Sequence, residues 1–590
     1  MLTESSVNKM KLDEKELISQ LSKHLYLLYP DEVEPVVDRL VNLARQYFPE
    51  NFKHCNDRWS EKDILLISYG DNVNKENEVP LKTLHEFANS YLKDTINCIH
   101  ILPFFPYSSD DGFSVIDFRQ VNPDLGAWDE IKAIAKDYKL MVDLVINHVS
   151  RESLWFYDYV GNIEPACNYF IELPPETDVS KVIRPRNSPL LVPVNTHRGT
   201  RHLWATFSED QIDLNFSNPD VLIEFVDIFL GYLQHGAKLI RLDAIAFLWK
   251  EFDSSCIHLS QTHEVVKLLR TFVDHLHPES ILLTETNVPH EENISYFGDG
   301  DEAHMVYQFP LPPLLLHALN RGTSVHLYNW ASQLRALPEH STYLNFTASH
   351  DGIGLRALEG IISQREVDDL LDCMHRFGGY VSMKSNQHGE DTPYEINISL
   401  FDAMQGTRRG ADQWQIQRFL CSQAIMFSLQ GLPAVYFNSL TATPNDLHGV
   451  EVTGRTRSIN RKKWQLDELK AQLDMAHTPN HEVFNALKEM MRIRKTQSGF
   501  HPDASQVVVD AGNSIFALLR RHSDNDQRVL ALHNVTAVPQ AIYFNDHQHL
   551  LENIKWRELF TEQTIENITE LKALSLQPYQ VMWLTEVKED

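Results

Sequence analysis

The sequence is poor in cysteine, in basic residues and in long apolar stretches. Its six cysteines lie far apart without a Cys-x-x-Cys pair, which argues against a dense disulfide framework and a cysteine zinc site. Lysine and arginine number 53 against 81 acidic residues, and the net charge of −28 disfavours nucleic acid and anionic membranes as partners. No segment approaches the roughly 20 apolar residues of a membrane span, and the polar N-terminus does not resemble a signal peptide. We therefore expect a cytoplasmic protein.

Apolar residues are nevertheless abundant, at 43% of 590 residues, which is enough for one large core with smaller appended domains. Between residues 61 and 504, short apolar runs alternate with stretches of helix length. Near-continuous apolar strands of this kind are typical of a parallel sheet covered on both faces, and eight of them predict an α/β fold, a (β/α)8 TIM barrel. The eight runs are ILLISYG, NCIHILPF, LMVDLVI, KLIRLDA, ILLTET, MVYQFPL, TYLNFTAS and LPAVYF.

The spacing of these runs also predicts the other parts of the chain. Residues 1–60 contain two helices at residues 13–48 and form an N-terminal helical extension, which we interpret as packing or, alternatively, as an oligomer contact or part of the site rim. The barrel covers 61–149 and 216–504. Residues 150–215 interrupt it as an inserted subdomain, and 353–410 form a long irregular active-site loop region, since both exceed an ordinary connection. Short alternating runs at 505–590 predict an antiparallel C-terminal β domain.

Polar clusters follow several of the predicted strands. The third run ends DLVINH, the fourth contains RLDA, the fifth ends TETN and the seventh ends ASHD. Barrels of this kind build their active sites at the carboxyl ends of the strands, so three carboxylates, Asp243, Glu285 and Asp351, are expected at one mouth. Arg241 lies two residues before Asp243 and faces the same side, where its charge favours the ionised carboxylate.

Three converging carboxylates suit a retaining double displacement at a sugar anomeric carbon. One carboxylate attacks the carbon, a second protonates the leaving oxygen and later activates the incoming acceptor, and the third stabilises the oxocarbenium-like transition state. A single strand-end aspartate is more often a helix cap or a loop ion pair. The joint arrangement has no such packing explanation and favours catalysis.

The segments DLVINH, RLDA, TETN and ASHD resemble the four signature segments of the α-amylase superfamily, glycoside hydrolase family 13. The resemblance implies that Asp243 is the nucleophile, Glu285 the general acid/base and Asp351 the transition-state stabiliser. It also implies that His148, Arg241 and His350 contact the donor sugar.

Longer segments, including YSSDDGFSVIDF, RPRNSP and RSINRKKW, resemble the sucrose phosphorylase subfamily, which transfers α-glucose from a disaccharide to inorganic phosphate. In this reading Asp110, Phe113 and Arg457 bind the donor glucose. The subfamily resembles metal-free members, and neither a dense Asp/Asn loop nor a Gly-rich nucleotide motif is present, so we expect no metal and no cofactor.

Phosphate requires local cations in so acidic a protein. Arg184, Arg186 and His388 are the candidates, since a guanidinium binds phosphate with two parallel hydrogen bonds. Tyr394 is followed by Glu395 where sucrose phosphorylases carry Tyr-Gln, which removes a hydrogen-bond donor from the expected acceptor side. This PYEIN segment, TETNVPH and the N-terminal helices look closer to the glucosylglycerate phosphorylases of the subfamily. That resemblance implies a substrate carboxylate, which would suit Arg184 and Arg186.

The sequence therefore predicts a retaining α-glucosyl phosphorylase for 2-O-α-glucosyl-glycerate, with a small sugar substrate and inorganic phosphate as its partners. Sucrose and glucosylglycerol phosphorylases remain alternatives. A plain α-glucosidase uses the same glucosyl-enzyme with water, and a noncatalytic carbohydrate-binding barrel keeps the fold without the activity. The chain is expected to be a monomer or a homodimer.

Overall fold

A closed barrel of eight parallel strands forms the centre of the molecule, in a computed structural model that describes residues 10–11, 14–48, 50–51, 58–185, 188–385 and 391–587. The strands are β1 (Leu65–Ser68), β2 (Cys98–Ile101), β3 (Lys139–Leu144), β4 (Ala237–Leu242), β5 (Ile281–Thr284), β6 (Met305–Tyr307), β7 (Thr342–Phe346) and β8 (Leu432–Tyr436). Each pairs in parallel with the next, and β8 pairs with β1. Six lie within the predicted runs, β3 and β4 begin one residue before theirs, and the predicted fold is confirmed.

The barrel strands are apolar throughout because both of their faces are covered. Their side chains are almost entirely buried between the barrel interior and an outer ring of helices. The helix after β5 is short, whereas the others run for ten residues or more. The ring consists of Pro80–Tyr91, Trp128–Asp137, Pro219–Gln234, Ser260–Leu276, His290–Ile294, Leu311–Arg321, Gln415–Ser428 and Pro479–Lys495.

Two N-terminal helices, Glu14–Leu28 and Val33–Tyr47, pack on the outside of this ring. Their apolar faces join the same continuous core as the barrel, against the ring helices that follow β3 and β4. Polar contacts fix the orientation, such as Tyr47 Oη donating to Asp227 at 2.8 Å. The helices therefore extend the barrel's own packing. No helix of the described residues is both long and apolar enough to cross a membrane.

The subdomain between β3 and β4 is joined to the barrel through a short strand pair. His148–Ser150 pairs antiparallel with Gln211–Asp213, which brings the two ends of the excursion side by side. Within it lie the helix Leu154–Gly161 and the hairpin of Leu191–Thr196 with Gly199–Trp204.

The segment 353–410 differs from the irregular loop that we expected. It contains the helix Gln364–Arg376 and a three-stranded antiparallel sheet in which Asp391–Asn397 lies between Ile353–Gly354 and Tyr380–Ser385. Ser363 and Glu366 form a capping box at the start of the helix, a local signal that the spacing argument overlooked. The described part of the segment forms a wall beside the barrel mouth.

The C-terminal region folds around a core of its own. Its six-stranded sheet is antiparallel between neighbours. The predicted antiparallel domain is therefore present, although the expected run QAIYFN forms only the two-residue strand Gln540–Ala541 in a separate small sheet. The strand order of the main sheet is Ser505–Val509, Ile515–Arg521, Arg528–Asn534, Val581–Glu586, Trp556–Glu558 and Thr564–Ile565.

Candidate active site

The three predicted carboxylates line one pocket at the carboxyl ends of the barrel strands. Asp243 follows β4 directly, Glu285 follows β5, and Asp351 lies in the loop after β7. The pocket has an empty volume of about 1180 Å³ and is bounded by the barrel mouth, the subdomain and the segment 353–410. The topology thus produces the convergence that the strand-end positions predicted.

Arg241 on β4 ties the carboxylates together beneath the pocket. Its Nη1 donates to Asp143 Oδ1 at 2.5 Å and to Asp243 Oδ1 at 2.7 Å, and its Nη2 lies 3.9 Å from Glu285 Oε2. His100 Nε2 lies 2.6 Å from the other oxygen of Asp143. Since Arg241 and Asp143 are buried, this network fixes the nucleophile candidate without relying on water.

The pKa of Asp243 depends on Arg241, which Asp243 shares with Asp143. Burial raises the pKa of Asp243, and the negative charge of Asp143 adds to the rise, while Arg241 lowers it. The expectation that Arg241 simply favours the charged form is therefore incomplete, because this guanidinium neutralises Asp143 as well.

Glu285 has the ionisation behaviour of a general acid. Burial, followed by the negative charges of Asp243 and Asp351, raises its pKa to about 7, against the opposing charge of Arg241. At neutral pH, Glu285 can therefore exist with or without its proton while its neighbours are charged. The backbone N–H of Ala244 donates to Glu285 Oε2 at 3.1 Å and holds the side chain in place. Ala244 itself adopts a left-handed backbone with φ 51°, a strained conformation for a residue with a Cβ.

Asp351 is held by a second arginine, Arg457. The Arg457 Nη1 donates to Asp351 Oδ1 at 2.6 Å, and its Nε and Nη2 donate to the two oxygens of Glu395 at 2.9 and 2.6 Å. Arg457 and the more distant Arg461 overcome the effect of burial and keep the pKa of Asp351 below its usual range. Asp351 is thus held as a carboxylate, as a charge stabiliser requires.

The position of Glu395 corrects our expectation for it. Its carboxylate makes a two-point ion pair with Arg457 and also accepts from the backbone N–H of Gly352 at 3.0 Å. A Cβ on Gly352 would lie only 2.3 Å from the Glu395 side chain, so this close approach depends on glycine. Glu395 borders the pocket but positions Arg457, and it does not offer a free carboxylate to an acceptor.

The predicted donor-binding residues surround the same pocket. The ring of Phe113 stacks on His350 with centroids 4.8 Å apart, and His148 Nε2 lies 2.9 Å from the Phe113 carbonyl oxygen. Burial lowers the pKa of His350 to about 3, so it is neutral. Asp110 also lines the pocket, with Gln211 Nε2 3.5 Å from its carboxylate.

Comparisons with known proteins place the chain in a family. Residues 88–356 match the description "Alpha amylase, catalytic domain". A glucosylglycerate phosphorylase of Escherichia coli (strain K12) is 40% identical over 94% of this chain and 96% of its own length. One from Spirochaeta thermophila is 43% identical over 89% of this chain and 90% of its own. The chain belongs to the α-amylase family, in the group of the glucosylglycerate phosphorylases.

More distant relatives share the architecture. A sucrose phosphorylase of Streptococcus mutans is 27% identical over 82% of this chain and 97% of its own length. The crystal structure of sucrose 6F-phosphate phosphorylase from Thermoanaerobacter thermosaccharolyticum has a TM-score of 0.69 at 24% identity and covers 80% of this chain and 94% of that one. This second likeness concerns the fold alone.

This α-amylase family member has a buried lysine where the subdomain meets the barrel. Lys250 Nζ lies 2.6 Å from Asp213 Oδ2 and donates to Asn147 Oδ1 at 2.7 Å. Asn147 follows β3, Asp213 belongs to the strand that returns from the subdomain, and Lys250 follows β4. The ammonium group therefore joins three separate segments directly behind the catalytic pocket.

One group of potential metal ligands occurs among the described residues, outside the catalytic pocket, and consists of His317, His326 and Glu366. The Nε of Arg321 lies 3.7 Å from the same Glu366 oxygen, and Glu366 caps the helix Gln364–Arg376. A fixed guanidinium at that distance opposes a cation, so we interpret the group as an ionic contact between helices.

Two of the acceptor candidates, Arg184 and Tyr394, lie at the outer side of the pocket. Tyr394 lines the pocket, and Arg184 lines the adjoining cavity together with it. The Nε and Nη2 of Arg184 are buried without a hydrogen-bond partner among the described residues. Arg186 and His388 lie outside the described residues, so their assignment stays a prediction.

Sequence reasoning missed several residues that shape the site. His100 contacts Asp143, and Gln211 contacts His148. Arg461 Nε donates to the backbone oxygen of His350 at 2.8 Å. Asp210 accepts hydrogen bonds from Ser108, Ser109 and Ser114 and so holds the loop that carries Asp110. A histidine inside the apolar run NCIHILPF was the clearest available signal, because a buried polar side chain needs a partner.

Proposed function

We propose that the protein transfers α-glucose from 2-O-α-glucosyl-glycerate to inorganic phosphate, with retention at the anomeric carbon. The observation that carries this proposal is the set of three carboxylates in one pocket, with Glu285 at a pKa of about 7 and Asp351 held ionised by Arg457. The identity with curated glucosylglycerate phosphorylases supports the choice of donor.

In the first half-reaction, Asp243 attacks the anomeric carbon as the bond to the glycosidic oxygen breaks. Glu285 gives its proton to that oxygen, and glycerate leaves with its hydroxyl restored. The product is a β-glucosyl ester on Asp243. Asp351 stabilises the positive charge that develops on the sugar in between.

In the second half-reaction, a phosphate oxygen attacks the anomeric carbon and the ester bond to Asp243 breaks. Glu285, now a carboxylate, accepts the proton of the attacking phosphate hydroxyl and returns to its starting state. The product is α-glucose 1-phosphate. Two inversions give net retention.

The donor glucose fits the inner end of the pocket. Phe113 and His350 present a stacked pair of rings, and the Arg241 guanidinium lies 5.8 Å from the Phe113 ring centroid. The charged groups at this end already have partners. The neutral hydroxyls of glucose therefore bind without leaving a buried charge unpaired.

The test is to incubate the purified protein with glucosylglycerate, sucrose or glucosylglycerol, with and without phosphate. We expect α-glucose 1-phosphate from glucosylglycerate at the highest kcat/KM. Free glucose at the same rate without phosphate would identify a hydrolase instead. A higher kcat/KM with sucrose or glucosylglycerol would reassign the donor.

A further inference from the structure

Two cationic side chains of the segment 353–410 reach the catalytic pocket. Arg356 follows the strand Ile353–Gly354, and Lys384 lies on the strand Tyr380–Ser385. Both line the same pocket as the three carboxylates, and both also line the cavity on its outer side. The two residues therefore lie where the pocket opens towards solvent.

The backbone fixes the position of this pair. The strand Ile353–Gly354, which Arg356 follows by two residues, and the strand Tyr380–Ser385 flank Asp391–Asn397 in one antiparallel sheet, with Ile353 opposite Ile396 and Lys384 opposite Thr392. Hydrogen-bonded strands hold a nearly constant spacing, so the sheet fixes the backbone at Lys384 and just before Arg356. The two cations are close enough for the charge of Arg356 to act on Lys384.

The charges of Arg356 and Lys384 are poorly compensated within the described residues. No carboxylate there forms an ion pair with Lys384, and the one ion pair of Arg356 is a 3.9 Å approach to the half-exposed Glu292. By contrast, Arg241 and Arg457 each bond carboxylates at 2.7 Å or less. Burial and the nearby charge of Arg356 lower the pKa of Lys384, against the opposing charge of Glu359, which forms no ion pair with it.

A bound anion would give these two cations a close partner. In 2-O-α-glucosyl-glycerate the carboxylate is attached to the carbon that bears the glycosidic oxygen, so it must lie near Glu285 when the bond is cleaved. Lysine and arginine form charge-assisted hydrogen bonds with such a group. Neutral acceptors such as glycerol or fructose cannot form them.

We propose that Arg356 and Lys384 bind the carboxylate of the acceptor half of the substrate and thereby select glycerate over neutral acceptors. This inference rests on the proposed function and adds its specificity determinant. It differs from the sequence prediction, which named Arg184 and Arg186 for both phosphate and the substrate carboxylate, and His388 for phosphate.

The experiment uses D-glycerate and glycerol as a matched pair of acceptors in the reverse reaction from α-glucose 1-phosphate. The readout is the ratio of kcat/KM for glycerate to that for glycerol. We expect Lys384→Met and Arg356→Met each to lower this ratio about 10- to 100-fold, the size of a hydrogen bond to a charged group. Lys384→Arg, which keeps the charge, should keep most of the ratio. Arg365→Met removes an exposed arginine of the same segment and should leave it unchanged.

An unchanged ratio in both methionine variants would overturn the proposal. If the KM for phosphate, measured with α-glucosyl fluoride as donor, is raised at the same time, the pair is a phosphate site instead. Turnover of α-glucosyl fluoride by each variant also establishes that the variant is folded.

Failure of the proposed function has a different signature. In that case wild-type protein would neither cleave glucosylglycerate nor glucosylate glycerate. The carboxylate site is then tested by inhibition of α-glucosyl fluoride turnover by D-glycerate, with glycerol as control. Weaker inhibition of Lys384→Met than of wild type would support the site, and equal inhibition would reject it.

Discussion

The two sides of the pocket differ in whether their charged side chains are paired. We call the barrel side the inner wall, and the side formed by the subdomain and the segment 353–410 the outer wall. On the barrel side, Arg241 and Arg457 are bonded to two carboxylates each. On the outer side, Arg184 has guanidinium nitrogens without partners among the described residues, and Lys384 has no ion pair there. The cations of the inner wall are all paired, whereas those of the outer wall have no close ion-pair partner among the described residues.

This difference follows the chemistry of the two halves of the proposed donor. Glucose is neutral, so the wall that binds it needs fixed dipoles and balanced charges that do not rearrange during the reaction. Glycerate and phosphate are anions, and each must enter and leave in every cycle. A wall whose cations have no close ion pair can accept either, because neither anion has to displace an internal carboxylate.

The most severe way to break the inner wall is to remove its nucleophile. Asp243→Asn should lower the rate of α-glucose 1-phosphate formation about 10 000-fold, because no glucosyl ester can form. The rate is measured with glucosylglycerate and phosphate. Asp372→Asn, on the exposed face of the helix Gln364–Arg376, is the control. Turnover near that of wild type in Asp243→Asn would refute the assignment.

A second test concerns the proton on Glu285. Because its pKa is raised to about 7, the protonated acid that cleaves the donor is lost above that pH, and kcat/KM for glucosylglycerate should fall on the alkaline side. Glu285→Gln should remove this limb and lower the rate about 100- to 10 000-fold, with a smaller loss for α-glucosyl fluoride, whose leaving group needs little protonation. A retained alkaline limb in the variant would assign the proton to another group.

The buried ion pair behind the inner wall can be broken without touching the substrate. Lys250→Met leaves the carboxylate of Asp213, which is fully buried, without its cation and should lower the free energy of unfolding by about 3–5 kcal/mol. Thermal melting measures the change. Adding Asp213→Asn should recover part of the loss, since the uncompensated charge is then gone. No difference between the single and the double variant would mean that the pair is not coupled.

The mildest change is Glu395→Gln. It removes one negative charge from the pair with Arg457 and should lower kcat/KM by about tenfold through a less rigid Arg457 and Asp351. The loss should be the same for sucrose and glucosylglycerate, because Glu395 has no free oxygen for an acceptor. A change in preference between the two donors would return Glu395 to the acceptor site.

Much of the inner wall could be predicted from the sequence. Barrel strands are apolar runs because both faces are buried, and Asp243 and Glu285 follow such runs directly. Alternation along β4 also placed Arg241 beside Asp243. These inferences need only local periodicity and the general location of barrel active sites.

The residues of the outer wall were harder to predict from the sequence, for a physical reason. Arg356 and Lys384 are brought to the pocket by pairing between strands that are distant in the chain, and nothing in their local sequence marks that register. The bonding of Glu395 to Arg457 likewise joins residues 62 positions apart. Glutamate in place of the usual Tyr-Gln glutamine marked position 395 as unusual, but it did not identify Arg457 as the partner.

The short pairing of His148–Ser150 with Gln211–Asp213 makes the inserted subdomain modular. Because the two ends of the subdomain pair side by side, they connect to the barrel in the same way as the two ends of a tight hairpin. Loop-closure entropy changes slowly with length, so the intervening chain can be lengthened, shortened or exchanged at small thermodynamic cost. The lining of the outer cavity on this side can thus change while the catalytic carboxylates remain in register.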